Sequence, residues 1–120
     1  MDSSNPREDG MNWALLDGFC ANDGDRSFLV ELVALFELDI PRRMAALDAA
    51  RAARDIAATT ERAHSIKGSC GTVGAEAMAA CAEAVELAAS RNDLRTVDQR
   101  AAELRVHFER AVEALRARLR

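Results

Sequence analysis

Apolar residues recur at alternating three- and four-residue steps along most of this chain, a period that only helices can use. It is clearest over Leu94, Val97, Ala101, Leu104, Phe108, Ala111 or Val112, Leu115 and Leu119, where every apolar side chain falls on one helical face. The same period runs through Phe28, Leu29, Leu32, Val33, Leu35, Phe36, Ile40, Met44 and Leu47, and again through Met78, Cys81, Val85 and Ala88. One-sided helices bury their stripes only against one another. The expected fold is therefore all-α: an antiparallel four-helix bundle with a short extra N-terminal helix, one domain over residues 11–120. A chain of 120 residues is long enough for one core and too short for two. Alanine dominates and tyrosine is absent, a composition that suits helices and disfavours a sandwich or barrel.

Residues 1–10 are polar and are expected to form a flexible tail. Asn12 can cap the short helix holding Trp13, Leu15, Leu16 and Phe19, which Gly18 helps to end; Trp13 and Phe19 then cover one end of the bundle. Ala21 to Gly24 reads as a turn, and Asp25 or Ser27 as the cap of the next helix. Pro41 lies inside that helix and should kink it, because it removes an amide donor while Met44 and Leu47 keep the period. A turn over residues 52–54 leads to Asp55, the cap of a third helix that ends near Thr72 to Gly74, with Gly74 placed for a left-handed terminus. The fourth helix runs over residues 75–90, and Asn92 and Asp93 supply the last turn and cap.

The formal net charge of −4 disfavours nucleic acid as a partner, since phosphate backbones are bound by basic patches. No run approaches a membrane span, and the polar start lacks the apolar core of a signal peptide. A free-standing cytoplasmic monomer is the expectation. Cys20, Cys70 and Cys81 form no CxxC pair and read as reduced core thiols.

The third helix contains a conflict. Thr59, Ala63, Ile66, Cys70 and Val73 make a buried face, while the opposite face carries Thr60, Glu61, His64, Lys67, Gly68 and Gly71. Each interior glycine costs roughly 1 kcal/mol relative to alanine, in a sequence that uses alanine freely. Helical side chains lean toward the N-terminus, so the residue at i+4 tends to cover the residue at i. Position i+4 from His64 is Gly68 and i+7 is Gly71, which clears a strip beside the imidazole. Lys67, the only lysine in the chain, flanks that strip with a positive charge. A cleared, largely neutral imidazole beside an ammonium suits a nucleophile that takes up an anion such as a phosphoryl group. Ser69 either bonds back to the helix or helps to orient the site. His107 has no such neighbours and reads as a surface or boundary residue.

His64-Ser65-Ile66-Lys67-Gly68-Ser69 followed by Gly74 resembles the H-x-x-K-G-[S/A]-x(4)-G signature of histidine-containing phosphotransfer (HPt) domains. Phe36 with Pro41 to Leu47, Asp55, and Cys81 to Glu86 resemble the flanking helices of that family, so the likeness covers about residues 25–115. It implies a phosphocarrier in a two-component phosphorelay, with His64 the phosphoryl acceptor and Lys67 its electrostatic support; the rest of the exposed face, Thr60, Glu61, Gly68 and Gly71, is the expected docking surface. The implied partners are receiver domains of response regulators and hybrid histidine kinases, which bring the aspartate and the Mg²⁺; no cofactor is implied on this chain.

An enzyme reading lacks its parts. There is no Gly-rich nucleotide cradle, no H-E-x-x-H or CxxC spacing for a metal, and no Ser-His-Asp set. Two further readings remain: a receiver-binding module whose His64 is never phosphorylated, and a helical-bundle dimer with the final helix as its seam.

Overall fold

Connections of three residues set the architecture. The computed structural model describes residues 9–20 and 27–120, apart from the side chains of Phe19 and Cys20. Its helices are α1 (Trp13–Cys20), α2 (Ser27–Ala52), α3 (Ile56–Thr72), α4 (Glu76–Ser90) and α5 (Leu94–Leu119). Residues 53–55, 73–75 and 91–93 are too few to do more than reverse the chain. Packing runs from α2 to α3, α4, α5 and back to α2, which closes an antiparallel four-helix bundle with α1 added against α2.

All three reversals use one device. The amides of Arg54 and Asp55 bond the carbonyls of Arg51 (3.0 Å) and Ala50 (3.1 Å). Gly74 and Ala75 bond Gly71 (3.2 Å) and Cys70 (2.9 Å), and Asn92 and Asp93 bond Ala89 and Ala88 (both 2.9 Å). This paired return of amides onto the last turn needs a left-handed residue at its pivot, and Arg54 (φ +56°), Gly74 (+74°) and Asn92 (+58°) supply it. Asp55 and Asp93 close one helix with their amides and open the next with their carboxylates, which accept from Ala58 N (3.0 Å) and Thr96 N (3.2 Å). Asn12 caps α1 in the same way, accepting from Leu15 N at 3.2 Å.

The core contains the expected stripes of α3 (Thr59, Ala63, Ile66, Cys70, with Val73 beyond its end) and of α4 (Met78, Cys81, Val85, Ala88). Thr59 keeps its hydroxyl satisfied by donating to Asp55 O at 2.7 Å. On α5, Val97, Leu104, Ala111 and Leu115 are buried, and Phe108 sits at the margin with its ring 5.6 Å from that of Phe36. The α2 stripe needs correction. Leu29, Val33, Phe36, Ile40, Met44, Leu47 and Ala50 are buried, but Phe28 and Leu35 are 50% and 61% exposed. They lie on the flank of α2, about 100° from the buried column, and the period alone assigned too wide an arc. Helix α2 continues through Pro41 as one element. Pro41 lies on its exposed side, where an unbonded carbonyl costs least.

The N-terminal boundary also shifts. Residues 1–8, most of the expected tail, lie outside the described residues, as do the expected turn at 21–24 and Asp25. Asp9 and Gly10 are not loose: Gly10 O accepts from Ala77 N (2.9 Å), and Asn12 N donates to Gly74 O (2.7 Å). Met11 between them is 1% exposed. Residues 9–12 thus strap α1 onto the α3–α4 turn. A Cβ at Gly74 would stand 2.9 Å from Asn12 O, so Gly74 serves both the left-handed turn and this close approach. Trp13 packs at the core margin, with Arg118 4.7 Å over its ring.

Candidate functional site

Asp55 starts α3 and the Gly74 turn ends it, and the buried Thr59, Ala63, Ile66 and Cys70 set its rotation. With that rotation fixed, His64 must face outward, and its side chain is 69% exposed. Gly68 and Gly71 are exposed on the same side, and a Cβ built on either meets no atom within 4 Å. Neither is among the glycines of positive φ. Both glycines therefore leave space beside the imidazole; the backbone does not require them.

Two carboxylates from α4 complete the site. Glu86 Oε2 lies 3.0 Å from His64 Nδ1, and Lys67 Nζ donates to Glu83 Oε1 at 3.2 Å. Residues 64 and 67 are one turn apart on α3, and 86 and 83 are one turn apart in the opposite direction on α4, so these are successive rungs between antiparallel helices. An ionised carboxylate only accepts, so Glu86 places the proton on Nδ1 and leaves the lone pair on Nε2. Among the described residues, Nε2 has no hydrogen-bond partner. An acidic residue that fixes the imidazole tautomer also stabilises the ring when it gains positive charge.

The remaining expected site residues divide. Glu61 is exposed on the His64 face. Thr60 sits beside it, but its hydroxyl donates to Ile56 O at 2.9 Å. Ser69 makes no side-chain hydrogen bond among the described residues and points into a groove of about 360 Å³ between α2 and α3. It is about 140° around α3 from His64 and is not brought to the imidazole. Neither reading offered for Ser69 fits. Thr72, expected only as the end of the helix, donates to Gly68 O at 3.1 Å. Glu83 and Glu86 were also missed as site residues. Both fall in the segment that resembles the family, but no spacing within α4 shows that they meet a lysine and an imidazole on α3.

His64 and Lys67 line neither that groove nor the cavity of about 930 Å³ between residues 9–11 and α5. Ligand sites for small molecules are concave; an imidazole standing on an open helical face suits a partner with its own surface. Cys70 and Cys81 are buried and free. Burial pushes the Cys70 thiol up to about 12, with Cys81 adding and Arg43 opposing. Burial, helped by Glu103 and opposed by Arg100, holds Cys81 at about 11. Both stay protonated near neutrality, as core thiols do.

A family model described as Hpt domain matches residues 31–118, well over half of the chain. No curated protein and no solved structure matches it. No described helix is long and apolar enough to cross a membrane.

Proposed function

Because the chain belongs to the Hpt domain family, we propose that it is a phosphorelay carrier whose acceptor atom is Nε2 of His64, charged by one receiver domain and discharged to another. Hpt domains carry phosphoryl groups on histidine in phosphorelays and interact with receiver domains. The observation that carries the assignment is the Glu86–His64 contact of 3.0 Å on an exposed, glycine-cleared face.

In the forward step the Nε2 lone pair forms the N–P bond as the P–O bond to the receiver's aspartate breaks, and that aspartate leaves as a carboxylate. The ring then carries positive charge with its proton still on Nδ1, where the Glu86 carboxylate faces it. Lys67 exchanges Glu83 for phosphoryl oxygens, a half-exposed interaction on the order of 1 kcal/mol or less. Transfer onward reverses these steps with a second aspartate. Thr60, Glu61, Gly68 and Gly71 form the landing surface, and the partners are response regulators and hybrid kinases, which supply the aspartate and its Mg²⁺.

Incubation with a phosphorylated receiver tests this. The wild-type chain should acquire acid-labile, base-stable phosphate, and His64→Gln should acquire none while keeping its helical content. Acid-labile label on folded His64→Gln would overturn the assignment. Receiver binding without any label on the wild type would leave only an interaction module.

A further inference from the structure

Cys81 lies on the side of α4 turned away from His64, since Glu83 and Glu86 stand about 200° and about 140° around that helix from it. There, at the seam with α5, Cys81 Sγ, a Glu103 carboxylate oxygen and a His107 ring nitrogen lie within 4.8 Å of one another. We propose that these three side chains are a Zn²⁺ site that ties α4 to α5, unconnected with the phosphoryl site.

The donor set selects the ion. Thiolate, imidazole and carboxylate together suit Zn²⁺, whereas Mg²⁺ and Ca²⁺ take oxygen ligands. Glu103 and His107 are four residues apart on α5 and so project from one face, and Cys81 meets them from across the seam. Tetrahedral zinc needs a sulfur-to-nitrogen separation of about 3.6 Å, so from a separation of 4.8 Å or less these two atoms close by about 1.2 Å at most. Glu103 is exposed and His107 half-buried, and their side chains have room for that movement, while buried Cys81 is the fixed point. Three protein ligands leave a fourth position for water.

The contacts around these three side chains show what a metal would satisfy. His107 makes no hydrogen bond or ion pair among the described residues. The Cys81 thiol donates to Arg100 O at 3.2 Å, and Glu103 pairs with Arg100 at 2.9 Å. On binding, zinc sheds water, Cys81 gives its thiol proton to solvent, and the sulfur lone pair forms the Zn–S bond. His107 binds as neutral imidazole and Glu103 as carboxylate, so one proton leaves per ion and nothing is oxidised or reduced.

Titration of the chelator-treated full chain with Co²⁺ and then Zn²⁺ tests the site. Co²⁺ should produce, at one equivalent, a thiolate-to-cobalt charge-transfer band and the visible bands of four-coordinate cobalt, both erased by Zn²⁺. Calorimetry of Zn²⁺ binding in two buffers should show release of one proton. Cys81→Ala should abolish the charge-transfer band. His107→Ala and Glu103→Gln, which sit outside the core and should fold, should each weaken binding by at least the ~10-fold that even outer-shell partners contribute. His64→Gln and Cys20→Ser should bind as wild type. No charge-transfer band in the wild type, a band that survives in Cys81→Ala, one lost in Cys20→Ser, or affinity unchanged in folded His107→Ala would each overturn the proposal.

Discussion

Gly68 lies one turn after His64, and replacing it should change stability and phosphoryl transfer in opposite directions. Its backbone is not in the left-handed region, and a Cβ added there meets nothing within 4 Å. Alanine at Gly68 then avoids the helix penalty of glycine and should gain up to about 1 kcal/mol, which raises the Tm by roughly 3–6 °C for a domain of this size. Glutamine is nearly as good a helix former and should keep most of that gain. Its side chain, however, leans toward the N-terminus and over the imidazole. In-line transfer needs the nitrogen, phosphorus and aspartate oxygen nearly collinear, and ~1 Å of misplacement can cost about a hundredfold in rate. Thermal melting followed by circular dichroism and single-turnover transfer from a labelled receiver should be measured on the same samples. Gly68→Ala should melt higher and keep most of its rate; Gly68→Gln should melt at or above wild type and transfer about a hundredfold slower. A Gly68→Gln protein transferring at full speed would show that the cleared strip is not the docking surface. A lower Tm for Gly68→Ala would show that the backbone argument is wrong.

Glu86→Ala should slow phosphorylation about fivefold, since a hydrogen bond to a charged acceptor contributes ~1.5–3 kcal/mol when buried and about 1 kcal/mol beside an imidazole as exposed as His64. Nitrogen-15 spectra of the ring should show the Nδ1–H tautomer depleted, and Glu86→Gln should recover part of both effects. Arg54→Gly should raise stability by roughly 0.5–1 kcal/mol in urea unfolding, because Arg54 holds φ +56° at a position that suits glycine. Cys70 binds its proton more tightly folded than unfolded, so its contribution is complete below about pH 9 and is lost as pH rises toward about 12. Cys70→Ala should flatten that alkaline fall in Tm, and native Cys70 should resist alkylation at neutral pH.

Most of the helices could be read before the structure because their signals act within one or two turns. Asp55, Asp93 and Asn12 bond amides three residues ahead, and Gly74 turns the chain with bonds that reach back five residues at most. The buried face of α3 follows from its period, and once Ile66 and Cys70 point inward His64 and the two glycines must point outward. Arg54 escaped notice as a left-handed pivot because its side chain carries no preference for that conformation.

The sequence by itself determined the helices, their order, their reversals and the exposed imidazole. Tertiary structure decided everything that depends on the rotation and register of one helix against another. The period of α2 marked Phe28 and Leu35 as apolar on a helix, but only the positions of its neighbours left them exposed. Met11 became core because residues 9–12 found hydrogen bonds on a turn more than sixty residues away. Glu83 and Glu86 read as ordinary acids on a helical surface until the antiparallel register of α3 and α4 set them against Lys67 and His64. Glu103 and His107 share a face of α5 by their spacing, but Cys81 meets them only across the α4–α5 seam. Register is a property of whole packed faces, the sum of many small apolar contacts. No single residue spacing encodes it, and every charged pair at the site inherits it.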